Sequence, residues 1–274
     1  MKVCRTIEEL RAARRELAVR VGFVPTMGAL HEGHLSLVDL AREHADAVIA
    51  SVFVNPTQFN DAADFDKYPR TLDDDLAMLK RRGVDVVFAP DAAEMYPLDR
   101  LDVTVDVPAL TSRLEGAHRP GHFAGVCRVV LKLFHIVTPD VAVFGSKDFQ
   151  QLRVIEAMTR GLDLPIDIVA APIIREPDGL AMSSRNRRLT DEDRRRALTI
   201  SRSLTAAAEK GQSLRELERD IANRLDAAGL RVDYVEAVDP ETLQPAAARP
   251  AVLLAAAFAG EVRLIDNVEL PPLP

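Results

Sequence analysis

Residues 25–34, PTMGALHEGH, decide the fold of the first half of the chain. They join a strand-like apolar run, RVGFVP at 20–25, to a helical pattern, HLSLVDLAREHA at 34–45. Further strand-like runs lie at 47–56 and 84–90, on either side of a helical pattern at 72–83. Strands that alternate with helices are typical of a parallel sheet wrapped by helices. The sequence therefore predicts an α/β domain.

The alternation resumes after a polar interval. The run GHFAGVCRVVLKLFHIV at 121–137 has apolar residues over most of a helical surface, which predicts a helix buried against the sheet. Strand-like runs at 140–145 and 166–174 enclose another helical pattern at 148–161. We predict that this first domain spans residues 1–176.

The sequence pattern changes after the turn-forming residues Pro177-Asp178-Gly179, where strands and helices no longer alternate. A capping box at Thr190 and Asp193 predicts the start of one charged helix, and a second is expected from about Ser213 to Ala228. Three strand-like runs follow, at 230–239, 251–260 and 262–270. Helices followed by strands predict a smaller α+β domain with an antiparallel sheet, which we place at residues 177–274.

Composition and charge exclude several classes of protein. Apolar residues make up 47% of the 274 residues, which is too many for a disordered tail protein. The net charge of -7 argues against nucleic acid as the main partner, because phosphate-backbone binding needs a basic face.

The cysteines and the apolar runs bear on the compartment. Cys4 and Cys127 lie far apart, which suggests reduced thiols rather than a disulfide framework or a cysteine zinc site. The first ten residues lack the apolar core of a signal peptide, and the longest apolar run, 251–259, is too short to cross a membrane. We expect a cytoplasmic protein with no membrane partner.

The segment 25–34 also carries chemistry. At a junction from strand to helix, free backbone N–H groups and the helix dipole can bind phosphate. Gly28 permits a tight turn, and Gly33 lets a nucleotide approach the first helical turn. His31 and His34 would share a helix face and donate to the same phosphate oxygens. The alternatives are a metal-binding pair, for which no third ligand is obvious nearby, and incidental histidines at a solvated helix start.

A second junction contains Gly145-Ser146-Lys147-Asp148, followed by Phe149, Gln150 and Gln151. Lys147 could reach ATP phosphates, and Asp148 could cap the helix or hold ribose hydroxyls. The alternative is a plain aspartate cap beside an exposed lysine.

The polar segment Met182-Ser183-Ser184-Arg185-Asn186 lies close to the predicted domain boundary. Such a loop can close over a triphosphate and stabilise the departing pyrophosphate. We expect residues 177–186 to form a mobile cover, from which Arg185 reaches the phosphates only after the smaller domain closes. The alternative is a hydrophilic linker.

Two further segments are candidates, and the first of them, residues 55–59, lies at the same edge of the predicted sheet. Gln58, in the stretch 55–59, can orient a carboxylate or a hydroxyl without adding charge, although simple turn chemistry would also explain the stretch. The acidic run Asp73-Asp74-Asp75 opens a helix, which predicts dipole-favourable capping, with a magnesium contact as the alternative.

Six motifs occur in an order and spacing that resemble the pantothenate synthetase family throughout residues 20–190; they are PTMGALHEGH, SVFVNPTQF, YPRT, RPGHFAGV, GSKDFQQL and DGLAMSSRN. That family is grouped with adenylate-forming, nucleotidyltransferase-like enzymes that have a Rossmann-like first domain. Its HxGH and MSSR-type motifs are similar to the HIGH and KMSKS motifs of class I aminoacyl-tRNA synthetases.

The resemblance implies a two-step ligase reaction. Pantoate would attack the α-phosphorus of ATP to form pantoyl-adenylate and pyrophosphate. The amine of β-alanine would then attack the adenylate, which yields pantothenate, a precursor of coenzyme A, and AMP. Mg²⁺ would accompany ATP, and the protein would be a homodimer.

The resemblance also implies which residues form the site. His34 would act at the α-phosphate with His31 as its companion, and Lys147 and Arg185 would complete the catalytic set. Gln58 and Gln151 match the glutamines that hold pantoate, and Gln58 also lies near the path of β-alanine. The residues that would contact ATP are Met27, Gly28, Ala29, Leu30, His31, Glu32, Gly33, His34, Gly145, Ser146, Lys147, Asp148, Ile174, Met182, Ser183, Ser184 and Arg185.

The chain departs from the family pattern at Ser146, where glutamate is common, and it ends soon after residue 270, where some members continue. Two other functions stay open at this point. One is a nucleotidyltransferase that moves AMP onto a phosphate-containing precursor, which would need an additional basic pocket. The other is a non-catalytic sensor of adenine nucleotides.

Overall fold

The computed structural model describes residues 1–60, 62–208 and 211–272. The chain forms two compact units. The first consists of Met1–Ser146 with Gln151–Pro172, and the second consists of Lys147–Gln150 with Ile173–Pro274. The division at residue 176 that we drew from the sequence stays a prediction.

The first unit is built on a six-stranded parallel sheet with the strand order β1-β4-β3-β2-β5-β6. Its strands are β1 (Lys2–Cys4), β2 (Val21–Thr26), β3 (Ala47–Val52), β4 (Val86–Phe88), β5 (Val141–Gly145) and β6 (Asp167–Ala171). Sequence patterns indicated all of these strands except β1. That strand has only three residues, and its pairing with Val86–Phe88 at the sheet edge defines it.

The order of the strands places a topological switch point at β2, which has β3 on one side and β5 on the other. Ligands of open parallel sheets bind in the crevice outside the carboxyl ends of the strands at such a point. Residues 27–34 follow the carboxyl end of β2, and Ser146 follows that of β5. The fold therefore delivers the first sequence motif, and Gly145 and Ser146 of the second, to the edge where ligands are expected.

Helices α1 to α9 connect these strands. They are α1 (Ile7–Glu16), α2 (Glu32–His44), α3 (Ala62–Asp66), α4 (Leu72–Arg81), α5 (Ala92–Met95), α6 (Pro108–Thr111), α7 (Glu115–His118), α8 (His122–Val137) and α9 (Phe149–Gly161). Eleven of the sixteen residues of α8 are buried, which confirms the prediction of a buried helix.

The second unit contains a three-stranded antiparallel sheet and two long helices. Its elements are α10 (Asp191–Ala208), α11 (Leu214–Ala227), β7 (Arg231–Val238), β8 (Ala251–Ala259) and β9 (Val262–Leu270). Asp193 donates its backbone N–H to Thr190 Oγ1 at 3.1 Å, and Ser213 forms a capping box with Glu216. The α/β first part and the α+β second part confirm the predicted fold class.

Both cysteines are buried free thiols. Burial raises the pKa of Cys127 to about 12, so this thiol stays protonated at neutral pH. In the part of the chain that the structure describes, none of the helices combines the length and the apolar character needed to span a membrane.

Candidate active site

The segment Thr26–His34, which we name the histidine loop, leaves β2 through a turn that ordinary residues rarely adopt. Gly28 has a φ of 80° and Ala29 a φ of 50°. The hydroxyl of Thr26 donates to Ser51 O at 2.6 Å and accepts the N–H of Gly28 at 3.2 Å. The turn is thereby attached to the end of the neighbouring strand β3.

A buried carboxylate holds the centre of the histidine loop. The side chain of Asp75, which is 1% exposed, accepts the N–H groups of Ala29 at 3.0 Å and of Leu30 at 2.8 Å. Its Oδ1 also lies 3.3 Å from the hydroxyl of Thr71. The sequence indicated helix capping or magnesium for the acidic run at 73–75. All three aspartates lie in the first turn of α4, as the helix-start prediction expected, and Asp75 in addition fixes a turn on another element.

Glycine is required at position 28. A Cβ there would lie 2.9 Å from Asp75 Oδ2 and 3.1 Å from Val52 Cγ1. The positive φ adds strain for any residue with a side chain. The tight turn expected at Gly28 is therefore present, and the carboxylate of Asp75 packs directly against it.

His31 caps helix α2 rather than lying on its first turn. Its Nδ1 accepts the N–H of Gly33 at 3.1 Å, and its carbonyl accepts the N–H of His34 at 2.8 Å. Because Nδ1 accepts a hydrogen, a neutral His31 ring carries its proton on Nε2 and can donate it. The centroids of the His31 and His34 rings are 4.1 Å apart. The structure therefore brings the two histidines together, although not by the shared helix face that the spacing suggested.

The hydrogen bonds of the histidine loop change the expected phosphate site. The N–H groups of Ala29, Leu30, Gly33 and His34 all donate within the protein. A phosphate at this point would therefore interact with the histidine rings and the helix dipole rather than with these four N–H groups. The expectation of free N–H groups was wrong at these positions, because a side chain or the cap satisfies each of them.

Glu32, which we predicted to contact ATP, has its side chain in an ion pair. Its carboxylate pairs with the guanidinium of Arg82, which also bonds Asp39 at 2.6 Å. A contact between Glu32 and ATP through its side chain would have to break this pair.

No group of three or more His, Cys, Asp or Glu side chains within residues 1–60, 62–208 and 211–272 is arranged to hold a metal ion. This finding gives no support to the metal-binding alternative for His31 and His34.

Gln58 ends the short 3-10 turn Pro56–Gln58 that follows β3, and it is buried. Its Oε1 accepts from Asn55 Nδ2 at 3.0 Å, and its Nε2 lies 3.0 Å from the sulfur of Met27. The carbonyl end of this amide is thus held by the protein, whereas its N–H end faces a weak acceptor. Gln58 is oriented to donate, and the contact with Met27 connects it to the histidine loop.

Helix α8 supports the turn under Gln58. A Cβ at Gly125 would lie 2.2 Å from Thr57 O, so only glycine allows the helix to pack this closely. Gly125 O accepts from Asn55 Nδ2 at 3.2 Å, and His122 Nδ1 lies 2.7 Å from Gln58 O, to which it donates. The sequence motif RPGHFAGV pointed to this region, but no role was assigned to its His122 or Gly125, nor to Asn55.

Other predicted residues of the first unit lie near the end of β5. Gly145 is the last residue of β5, Ser146 begins a 3-10 turn, and Gln151 lies in the first turn of α9, where it is half-buried. The part of Gln151 in pantoate binding stays a prediction.

In the second unit, Lys147 and Asp148 form an ion pair of 3.7 Å. Asn267 Nδ2 donates to the carbonyl of Lys147 at 3.0 Å. Its neighbour Asp266, which is 4% exposed, binds Arg175 through two hydrogen bonds of 2.7 and 3.1 Å. Two residues of the sequence RLIDN at 263–267 therefore hold the backbone at Lys147 and the side chain of Arg175. The sequence analysis had assigned no role to these two residues.

Residues 182–188, which we name the serine loop, are folded rather than extended as a linker. The N–H of Met182 donates to Ile174 O at 2.9 Å, and Ser183 Oγ accepts the N–H of Arg185 at 3.2 Å. Ser184 and Asn186 are buried. A solvated hydrophilic linker would not bury these polar side chains.

Carboxylates outside the serine loop hold it in place. Asn186 Nδ2 donates to Glu176 Oε1 at 2.6 Å and to Ala181 O at 3.0 Å. Glu176 and Asp178 both pair with Arg194. Burial opposes a charge on Asp178, but the N–H of Leu180 and the guanidinium of Arg194 lower its pKa overall. The loop is thus attached to α10 through charged side chains.

Comparison with known proteins shows the same family that the motifs resembled. Residues 2–269 match the family model of pantoate-beta-alanine ligase. The pantothenate synthetase of Acidobacterium capsulatum is 52% identical over 299 residues, which cover 100% of this chain and 98% of that protein. That of Thiobacillus denitrificans is 52% identical, with coverages of 98% and 97%.

Solved structures agree with this result. Pantothenate synthetase from Thermus thermophilus is 47% identical, with a TM-score of 0.94 over 99% of this chain and 100% of that chain. The pantoate-beta-alanine ligase from Francisella tularensis, described as complexed with beta-gamma ATP and beta-alanine, is 35% identical. Its TM-score is 0.86 over 98% of this chain and 97% of that chain. The protein described here therefore belongs to the pantoate-beta-alanine ligase family.

Proposed function

We propose that the protein is a pantothenate synthetase, which condenses pantoate with β-alanine at the expense of ATP through pantoyl-adenylate and releases AMP and pyrophosphate. The observation that carries the proposal is the pair of histidine rings, 4.1 Å apart at the start of α2, on a chain that matches the family from residue 2 to residue 269. The Francisella tularensis relative described with beta-gamma ATP and beta-alanine supports ATP and β-alanine as substrates.

In the first step, a carboxylate oxygen of pantoate attacks the α-phosphorus, and the bond from that phosphorus to the bridging oxygen of pyrophosphate breaks. Negative charge grows on the α-phosphate and on the leaving group. His34 and the Nε2–H of His31 would stabilise the former, assisted by the dipole of α2. Lys147, Ser183, Ser184 and Arg185 would stabilise the pyrophosphate.

Backbone contacts would position the nucleotide. Met27, Gly28, Ala29, Leu30, Glu32 and Gly33 would line it from the histidine loop, and Gly145, Ser146, Asp148, Ile174 and Met182 would complete its contacts. The fixed turn at Gly28 and Ala29 reduces the reorganisation that the transition state requires, because Asp75 already holds it.

Mg²⁺ would neutralise part of the triphosphate charge. The described residues contain no cluster of three candidate ligands. Phosphate oxygens and water would therefore hold most of the coordination sites of the ion, which is usual for magnesium in nucleotide sites.

Gln58 and Gln151 would bind pantoate. The Nε2 group of Gln58 contacts the thioether of Met27, which is a weak acceptor, so a carboxylate or hydroxyl of the substrate would be a stronger one. In the second step, the neutral amine of β-alanine would attack the acyl carbon beside Gln58, the bond to the AMP oxygen would break, and the nitrogen would release its proton to water.

The discriminating experiment is ATP–pyrophosphate exchange with a panel of carboxylic acids. Exchange should require pantoate, and addition of β-alanine should yield pantothenate and AMP in equal amounts. Transfer of AMP to a phosphate-containing acceptor would favour a nucleotidyltransferase. Nucleotide binding without any exchange would favour a sensor.

We also propose a cytoplasmic homodimer. The free thiols of Cys4 and Cys127 suit a reducing compartment. The segment 98–107 exposes Leu98, Leu101 and Val103 at 105%, 95% and 64%, and residues 101–107 alternate apolar and polar side chains. An exposed apolar row of this kind marks an association surface.

The dimer proposal can be tested by substitution. Leu101→Asp with Val103→Asp should convert a dimer into a monomer in analytical ultracentrifugation without loss of helical signal. A dimer that persists in this variant would place the interface elsewhere, and a monomeric unmodified protein would refute the dimer.

A further inference from the structure

A cavity in the first unit is lined by residues of α1, α8, α5 and the loop after α5. Its volume is about 550 Å³, within the range of small-molecule sites. Ile7, Pro97 and Ile136 form its apolar part. None of its lining residues belongs to the site proposed for the ligase reaction.

The charged lining of the cavity is mostly basic. Arg11, Arg15, Arg100 and Lys132 face two carboxylates, Glu8 and Glu94, which leaves a formal charge of +2 with His135 neutral, on a chain whose net charge is -7. Glu94 is also engaged, because its carboxylate accepts the N–H of Ile7 at 2.7 Å. The cavity therefore concentrates positive charge on an acidic protein.

Three guanidinium groups at the cavity have no ion pair or side-chain hydrogen bond within the described residues, namely those of Arg11, Arg15 and Arg100. By contrast, Arg14 on the adjacent face of α1 bonds Thr138 O and Asp140. Arg11 and Arg15 are four residues apart, where like charges on a helix repel. A bound anion would remove this repulsion.

Lys132 experiences the same positive surroundings. Its ammonium group binds Met95 O and lies 5.4 Å from the centre of the Tyr96 ring. Burial lowers the pKa of Lys132, and the nearby Arg100 and Arg128 lower it further, while Glu94 opposes them. The positive charge of Lys132 is thus destabilised by its surroundings, and a bound anion would offset this effect.

The cavity is separate from the turn that holds Gln58. His122 contacts that turn at the first residue of α8, whereas Lys132 lies ten residues later, about 15 Å along the helix. Lys132, His135 and Ile136 share one face of α8, opposite Arg11 and Arg15 of α1. The two regions are therefore distinct parts of the first unit.

We propose that this cavity is a second ligand site, which binds a small phosphorylated molecule through the unpaired guanidinium groups and packs its less polar part on the apolar residues. Guanidinium forks match phosphate oxygens in pairs, and the apolar part of the lining favours a ligand larger than bare phosphate. Bare polyphosphate and a nucleotide share the required chemistry, so both serve as probes.

Histidine-ring NMR of the whole protein separates this cavity from the ligase site. His135 reports on the cavity, and His31 and His34 report on the histidine loop. Titration with ADP should move the His135 signal in a saturable manner, at lower concentration than pyrophosphate does. If pyrophosphate binds at least as tightly as ADP, the apolar residues of the cavity do not contribute to ligand binding, and that part of the proposal is refuted.

The variant Arg11→Gln with Arg15→Gln should weaken the binding seen at His135 at least tenfold and leave the response of His31 and His34 unchanged. Arg195→Gln with Arg202→Gln removes the same charge from exposed positions of α10 and should change the binding less than twofold. Equal thermal melting temperatures would show that each variant is folded. A His135 signal that does not saturate, or that responds equally in both double variants, would overturn the proposal.

Discussion

The histidine loop and the serine loop are both short connections that carry candidate catalytic residues, but different forces hold them. One carboxylate, Asp75, is 1% exposed and binds two backbone N–H groups of the histidine loop. The serine loop depends on Asn186 and on Glu176 and Asp178, which share the partly exposed Arg194. Hydrogen bonds from N–H groups to a buried carboxylate resist water and salt, whereas partly exposed ion pairs are weakened by both. We infer that the first loop is the rigid part of the site and that the second can be released.

The largest effect is expected from His34→Ala. If the rigid loop carries the chemistry of the α-phosphate, pantoate-dependent ATP–pyrophosphate exchange should fall by about three orders of magnitude. His44→Ala, at the exposed end of the same helix, is the matched control and should be close to normal. Near-normal exchange in a folded His34→Ala protein would remove this histidine from the mechanism.

Loss of the buried carboxylate tests whether Asp75 is what makes the histidine loop rigid. Asp75→Ala leaves the N–H groups of Ala29 and Leu30 without their acceptor, which should lower the free energy of unfolding by about 3 kcal/mol. Exchange activity should fall as well, because the turn loses its shape. Urea denaturation measures the first effect, with the exposed Asp74→Ala as the control. If Asp75→Ala and Asp74→Ala are equally stable, the turn does not depend on this carboxylate.

Gln58→Ala and Gln151→Ala test whether acid binding is separate from the nucleotide-binding loops. Each should raise the pantoate concentration needed for half-maximal exchange by about tenfold, since one donor of hydrogen bonds is lost. Calorimetry should show nearly unchanged ATP binding. Loss of ATP binding instead would assign these glutamines to the nucleotide.

Hydrogen exchange tests the difference in rigidity directly, and here the expected effect is smallest. Amides of Ala29 and Leu30 should be protected in the free enzyme, whereas those at 177–190 should exchange fast and slow down when ATP and pantoate are added. Equal protection of residues 177–190 in both states would mean that the serine loop is preformed and that Arg185 is a static ligand.

Several features of the fold were readable from local patterns. The alternation of strand and helix at 20–90 predicted the parallel sheet. The capping box at Thr190 predicted one helix start, and the charged pattern from about Ser213 predicted a second helix; the structure shows both. Strand β1 was not recognised, because a segment of three residues carries too little periodicity and its partner, β4, lies far along the chain.

The candidate site was predicted in part. The motifs led to His31, His34, Gln58 and the serine loop, whose local environments the structure describes. Their supporting residues were missed. The residues that hold Gln58 and its turn are Asn55, His122 and Gly125. Their role depends on α8 packing against the turn after β3.

The sequence by itself indicated the family, the main alternation of strands and helices and the candidate reacting groups, because helix periodicity, capping and motif spacing act over a few neighbouring residues. Only the tertiary structure decided how these groups are held. Asp75 fixes a turn 45 and 46 residues before it in the chain, and it does so because α4 packs beside β3. The same acidic run, seen without its partners, is indistinguishable from a helix start exposed to solvent, because burial and the direction of a side chain arise only when distant segments pack together.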